Sequence, residues 1–325
     1  MPNNNFLKPE SMAITKRGNN IENLHFGWIC ILDNKKNIVY KKGDMTDKIF
    51  LRSTAKPIQA IPIIDYKINV SLKELAIICG SHSGSSKHLR LLQELIKKDE
   101  LKLQDLQCGI HFPTDEKEKL RLIKYNLKPN ILHNNCSGKH IGMLSVCKKN
   151  NWSLENYLKI DHPLQKHILK SIKELSETSN ISIAIDGCSA PVFALPILNA
   201  AKLFSNFTNP KKTKYSRTIT AMTKYPFYMG SENQIDSEII KASSGKILCK
   251  VGAEGVIIAA KDGNSIVMKV SDGSPKIRSI VLLNLLIKFK WLREKDIKSP
   301  TIKELLKGQI TNHVGNVVGS VEVLI

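Results

Sequence analysis

The sequence predicts an α+β fold, with strands contributed by the two ends of the chain and helices by its middle. Three observations carry this. Residues 26–32 and 37–42 read as two strands about the turn-forming Asp33-Asn34-Lys35-Lys36. Residues 256–260 and 265–270 repeat that pattern around Asp262-Gly263-Asn264. Between the two hairpins, apolar residues recur mostly at helical spacing. No internal repeat and no long linker divides the chain. Residues 13–325 are therefore expected as a single domain, and residues 1–12 as a loose, polar leader.

His25-Phe26-Gly27 opens the first hairpin. A helix is expected next, from Arg52 to about Tyr66, with Ile58, Ile61 and Ile64 buried and Pro57 tolerated in its first turn. Ser71 and Glu74 form a capping box for a helix ending near Cys79-Gly80. Ser81-His82-Ser83-Gly84-Ser85-Ser86-Lys87-His88 is a hydroxyl-rich loop running into a helix over 87–98. Residues 115–126 are helical and charged, hence expected to be exposed. His133-Asn134-Asn135-Cys136-Ser137-Gly138-Lys139-His140 directly precedes an apolar helix over 141–147. His162-Pro163 starts a helix to about 178. The apolar strand 181–185 ends in Asp186-Gly187-Cys188-Ser189-Ala190-Pro191, a polar loop of the kind that gathers functional residues. Residues 196–204 and 214–224 read as helices. Strand 246–250 leads into Val251-Gly252-Ala253-Glu254-Gly255. Ser274 caps an apolar helix that Pro275 opens and that runs to about 291, and 316–324 is a final strand.

At 325 residues and 42% hydrophobic, the chain has ample material for a core. No apolar run is long enough to span a bilayer, and the polar stretch at 1–10 lacks the apolar segment of a secretory signal. A cytoplasmic protein that does not contact membrane is expected. The formal net charge of +20 raises nucleic acid as a partner. The lysines are spread through nearly every helix, however, and only 6% of residues are aromatic, which argues against a base-stacking platform. No nucleic-acid partner is expected. The seven cysteines, Cys30, Cys79, Cys108, Cys136, Cys147, Cys188 and Cys249, form no close pair and suit a reducing compartment.

The chemistry gathers around Arg52-Ser53-Thr54-Ala55-Lys56-Pro57. Three positions apart on one helical turn, Ser53 and Lys56 share a face. A serine hydroxyl needs a base to become a nucleophile, and a lysine held in a dry pocket can lose its charge and serve as one. Read from spacing alone, Cys136 and Cys188 are buried core cysteines rather than a metal pair, and a Cys136 nucleophile served by His133 or His140 is a further option. Arg52 either grips a substrate carboxylate or covers the serine turn. Asp186 either orients a substrate or forms the turn before Gly187. His82, His88 and His140 are support groups or hydrogen-bonded loop residues.

Ser53-x-x-Lys56, Ser81-His82-Ser83 and Lys250-Val251-Gly252 together resemble the three motifs of serine β-lactamases and penicillin-binding proteins. With His25-Phe26-Gly27, the Cys136 octapeptide, Asp186-Gly187-Cys188 and Gly252-Ala253-Glu254-Gly255, most of the chain resembles the asparaginase II family, the rhizobial-type (class 3) L-asparaginases. The resemblance implies a β-lactamase/transpeptidase-like fold, with an antiparallel sheet packed with helices, and hydrolysis of L-asparagine to L-aspartate and ammonia. It implies a catalytic Ser53–Lys56 tandem and a second Ser81–Lys250 pair, with Ser83 or Ser85 as alternatives for the second serine. Substrate contacts fall to Arg52, Asp186 and Ser83. The resemblance further implies zinc held by Cys136, Lys139 and Cys188, and a homodimer. Ser85 and Ser189 stand where the family tends to carry an acidic residue and a glycine. The competing readings are a related serine acyl hydrolase acting on glutamine or on another amide or β-lactam, and a non-catalytic basic nucleic-acid-binding protein.

Overall fold

The computed structural model describes residues 7–325. The chain enters a strand earlier than its charged residues suggest, because Met12 and Ala13 are fully buried. Strand β1 (Glu10–Arg17) turns back into the long β2 (Asn20–Leu32), followed by β3 (Ile38–Lys42) and the short β4 (Lys48–Phe50). Of the expected loose leader, residues 1–6 lie outside the described residues, and Glu10 to Met12 belong to β1.

The helix expected over 52–66 forms in three pieces: a 3-10 turn at Arg52–Ala55, α1 (Lys56–Gln59) and α2 (Ile61–Asp65). Pro57 and Pro62 each stand in the first turn of a piece, where a missing N–H costs least. In α3 (Leu72–Ile78) the capping box is formed, with Glu74 N–H donating to Ser71 Oγ at 3.2 Å. Next come α4 (Ser86–Lys98) and α5 (Glu116–Lys124). Helix α5 is less exposed than its charge suggests: Glu118 is buried against Arg121 and His133, and Leu122 packs inward.

Helix α6 (Ser137–Lys149) begins inside the Cys136 octapeptide and is buried from Ser137 to Cys147. Gly138 is required there, since a Cβ at that position would lie 2.6 Å from the Ile77 carbonyl oxygen of α3. Helix α7 (Pro163–Ser176) leads to β5 (Ser182–Ile185), β6 (Pro191–Pro196) and α8 (Ile197–Phe207). The apolar strand β5 is exposed along its whole length. The remaining elements are α9 (Ser216–Lys224), α10 (Pro226–Met229), α11 (Ile235–Ala242), β7 (Leu248–Val251), β8 (Val256–Lys261), β9 (Asn264–Val270), α12 (Pro275–Lys288), α13 (Pro300–Lys307), β10 (Gln309–Thr311) and β11 (Val317–Val323).

The architecture is the expected α+β one. Strands run in the order β10-β11-β1-β2-β9-β8-β7, with β3 paired to β2. A second sheet has the order β4-β6-β5. Both sheets pair antiparallel throughout. The chain's two ends meet in the large sheet, where Ala13 of β1 faces Val323 of β11. Helix α8 packs on β2, β8 and β9, while α12 packs on β1, β8, β9 and β11. The candidate site lies where three parts converge. The end of β7 lies beside the Arg52–Ala55 turn, such that a Cβ at Gly252 would stand 3.2 Å from the Leu51 carbonyl oxygen. Leu51 N–H in turn bonds the Phe193 carbonyl of β6 at 2.9 Å. The N-terminal end of α6 closes the third side through Asn135, whose carbonyl accepts from Lys56.

Candidate active site

Arg52 has a φ of 47°, in the left-handed region that costs a non-glycine residue about 1–3 kcal/mol. That bend starts the 3-10 turn carrying Ser53. Ser53 is half-buried, and its hydroxyl makes no hydrogen bond among the described residues. Lys56, buried at the start of α1, places Nζ 2.6 Å from the Gly80 carbonyl, 2.9 Å from Ser81 Oγ and 3.1 Å from the Asn135 carbonyl. These contacts accommodate an ammonium donating three bonds, or a free amine that donates two and accepts the Ser81 hydroxyl proton. The hydrogen-bonded serine–lysine pair is thus Ser81–Lys56, a cross-pairing of the two tandems read from the sequence.

Lys250, on β7, is completely enclosed. Its Nζ donates to the Val251 carbonyl at 2.8 Å and lies 3.5 Å from Asp236 Oδ2. Burial pulls its pKa down to about 8, with Asp236 opposing that fall and nearby Lys56 assisting it.

The three serines expected to compete for the second site separate by partner. Ser81 faces Lys56. Ser83 and Ser85 face His88 Nδ1, at 3.4 and 2.8 Å. His88 Nε2–H donates to the Phe227 carbonyl at 3.0 Å, which leaves Nδ1 as the acceptor for both hydroxyls. Ser83, expected to contact substrate, is therefore turned to His88.

The thiol cluster adjoins through Asn135. Cys136 Sγ–H donates to Asn135 Oδ1 at 3.2 Å, and Lys139 Nζ–H donates to Cys188 Sγ at 3.1 Å. All three side chains are buried. A hydrogen bond from Cys188 holds the Cys136 thiol well below its ordinary value against burial, with help from Lys56 and Lys139. The same bond pushes the Cys188 thiol up. Burial works against the Lys139 ammonium, but the sulfurs of Cys188 and Cys136, joined by Asp186, outweigh it and hold Lys139 above the ordinary lysine value. Among the described residues no group of three or more His, Cys, Asp or Glu side chains could hold a metal. A metal at this cluster therefore depends on Lys139 as third donor.

Arg52 and Asp186 pair with each other, Nε to Oδ1 at 2.8 Å, and join the Ser53 turn to the Cys188 loop. Asp186 also accepts from Gly187 N–H at 2.9 Å, so the turn role and a site-facing role coexist in one side chain.

The histidines brace the site. His82 Nδ1 accepts from Gly84 N–H at 3.2 Å, so its Nε2–H donates to Ser137 Oγ at 2.9 Å. Burial holds His82 well below its ordinary value, and hence neutral. His133 lies 3.4 Å from Glu118, and His140 bonds the Tyr157 hydroxyl at 2.6 Å. Neither histidine bonds Cys136, so the cysteine–histidine nucleophile is not assembled. His111 Nε2 accepts from Asn135 N–H at 3.2 Å and so fixes the peptide that joins the two clusters. His25 bonds Asp272 at 2.5 Å, and Asp272 accepts from Ser274 N–H at 2.8 Å, which latches β2 to the start of α12.

Asp236 went unnoticed in the sequence. Its signal was a carboxylate within the apolar face of Ile235, Ile239 and Ile240, where burial requires a partner. A wide groove of about 1180 Å³ opens at the opposite end of β7 and β8, lined in part by Lys246, Lys261 and Trp291, and shares no side chain with either cluster.

A family model described as L-asparaginase II matches residues 13–323. No curated protein matches the chain. Among solved structures, a beta-lactamase from Mycobacterium bovis is similar at 10% identity and a TM-score of 0.43, over 81% of this chain and 94% of that one.

Proposed function

The chain belongs to the L-asparaginase II family, and from that premise we propose that it hydrolyses the side-chain amide of L-asparagine to L-aspartate and ammonia. Family membership makes amide hydrolysis the class of reaction and a small molecule the class of substrate. The observation that carries the finer reading is the buried contact between Lys56 Nζ and Ser81 Oγ at 2.9 Å, with the enclosed Lys250 close enough to feel the Lys56 charge.

In this reading Ser53 attacks the amide carbon and its proton passes to Lys56, while Ser81 relays protons between Lys56 and Lys250. The lysine that holds the proton returns it to the leaving nitrogen, which departs as ammonia. Water then releases aspartate from the acyl-enzyme. A second reading rests on the same contact: Ser81 already has its base in hydrogen-bond reach, and attacks in place of Ser53. Trapping the acyl-enzyme and sequencing the modified peptide by mass spectrometry separates the two. An adduct on neither serine removes both.

The Arg52–Asp186 pair is complementary to an amino-acid zwitterion, with the guanidinium taking the carboxylate and the Asp186 carboxylate taking the ammonium. Ammonia release from asparagine, glutamine and a chromogenic β-lactam tests the substrate. Preference for glutamine or the lactam would move the assignment to a related acyl hydrolase. Salt-dependent duplex binding without ammonia release would favour a basic nucleic-acid-binding protein.

Two buried sulfurs fit the donor chemistry of zinc at Cys136 and Cys188, and the buried Lys139 amine would complete the set once it had lost its proton. Binding requires Cys136, Cys188 and Lys139 to give up protons. When bound, zinc supplies a fixed positive charge that orients substrate. We also read the protein as a cytoplasmic homodimer. Seven unpaired cysteines support the compartment. The exposed edge strand β5, with Ile183 and Ile185 outward, supports pairing with a second copy, and light scattering checks the mass. No helix among the described residues is long and apolar enough to cross a membrane.

A further inference from the structure

We propose that Asp236 is the positioning residue of Lys250: it holds the enclosed amine in place and fixes the strand end that brings Gly252 against the Ser53 turn. This rests on the reading above, in which Lys250 exchanges protons with the serine–lysine cluster. Asp236 lies in the first turn of α11, which packs on β7, and both it and Lys250 are completely buried. Asp236 Oδ2 lies 3.5 Å from Lys250 Nζ and accepts Val251 N–H at 3.0 Å, while Oδ1 accepts Ser237 N–H at 3.0 Å. One carboxylate thus grips the lysine side chain and the peptide that follows it.

The position of the pair argues against a purely stabilising role. Burying two charges usually costs more than their attraction returns, and apolar side chains would fill the space as well. The neighbours sharpen the point. Lys250 is faced by Asp236 from α11, by Lys56 from α1, by Cys79 beyond α3 and by Cys249 on its own strand. Arg278 of α12 faces Asp236 and donates to the Gly252 carbonyl at 2.9 Å. Among these groups Asp236 is the carboxylate, and it favours the charged form of Lys250 against burial. Asp236 therefore keeps the amine within reach of both protonation states near neutral pH, where an otherwise unpartnered buried lysine would stay neutral.

The test is an NMR titration of the full chain labelled at the lysine Cε carbons, with the Lys250 resonance assigned from Lys250→Met. In Asp236→Asn, which keeps the shape and loses the charge, the Lys250 midpoint falls by at least one pH unit, a tenfold loss of proton affinity. The limb of the pH–rate profile that Lys250 governs moves with it, while KM for asparagine stays within twofold. Should Asp236→Asn not fold, Asp236→Ser is titrated in its place, with the same expectation. An unmoved Lys250 midpoint in a folded variant overturns the proposal. The titration needs no turnover: absence of ammonia release would sink the amide-hydrolysis reading and leave the Asp236 measurement to be decided separately.

Discussion

Lys139 and Lys250 are both buried to within a few per cent of full enclosure, at 3% and 0% exposure, yet they are pushed in opposite directions. Lys139 faces two cysteine sulfurs and the Asp186 carboxylate and is held above the ordinary lysine value. Lys250 has one carboxylate at 3.5 Å and a second lysine nearby, and is pulled down to about 8. Depth alone does not set the charge of a buried amine; the neighbours that share the enclosure do. The molecule therefore carries both a lysine whose neighbours hold its charge in the metal-free chain and a lysine whose enclosure opposes its charge. Asn135 joins the serine–lysine cluster to the thiol cluster, since its carbonyl accepts from Lys56 and its side chain accepts from Cys136.

The largest expected effect breaks the exchanging side. Lys56→Ala or Lys250→Ala should lower ammonia release from asparagine by about 10²–10⁴-fold, the range for loss of a positioned proton-transfer group. Steady-state assays on folded variants check this, and a loss below about tenfold would place that lysine outside the chemistry. Breaking the charge-holding side should affect metal before rate. Lys139→Met removes one of three donors, and zinc content after dialysis should drop from about one per chain to a small fraction. Elemental analysis reads the result, and unchanged zinc in the variant would remove Lys139 from the ligand set.

The pH dependence sharpens the comparison. A Lys250 that must be neutral to accept a proton is about one-tenth neutral one unit below its pKa of about 8 and largely neutral one unit above it. Between pH 7 and pH 9, kcat/KM should therefore rise about tenfold. A profile flat across that window would assign the base elsewhere. The smallest effect is expected at Ser83, whose hydroxyl faces His88 rather than either lysine. Ser83→Ala should leave ammonia release within about twofold, because the bond it loses at 3.4 Å is long and Ser85 still faces His88 Nδ1 at 2.8 Å.

The serine–lysine motif was legible in the residues themselves, whereas the grouping of Cys136, Lys139 and Cys188 followed only from the family resemblance, since spacing alone reads the two cysteines as core residues. Ser53 with Lys56 and Cys136 with Lys139 are each three residues apart, and the structure brings Cys188 to Lys139 and Ser81 to Lys56 across the fold. The pairing of particular serines with particular lysines was not legible, since it depends on how Gly80 and Ser81 approach α1. Asp236 was missed because nothing in its local sequence points to a lysine fourteen positions later, on a strand that only packing brings near. Strand β1 was missed because its charged residues Glu10, Lys16 and Arg17 lie at its two ends and mask the short buried centre from Met12 to Thr15. The single helix expected over 52–66 was divided by Pro62, a proline that the apolar spacing alone did not weigh.

The contrast between the two amines is open to direct measurement by titrating lysine Cε resonances in the metal-free wild-type chain. Lys250 is expected to titrate near 8, with Lys139 retaining its proton beyond the ordinary lysine range. A Lys250 resonance that titrates together with the surface lysines would contradict the assignment of an amine near Lys56 that is neutral just above neutral pH.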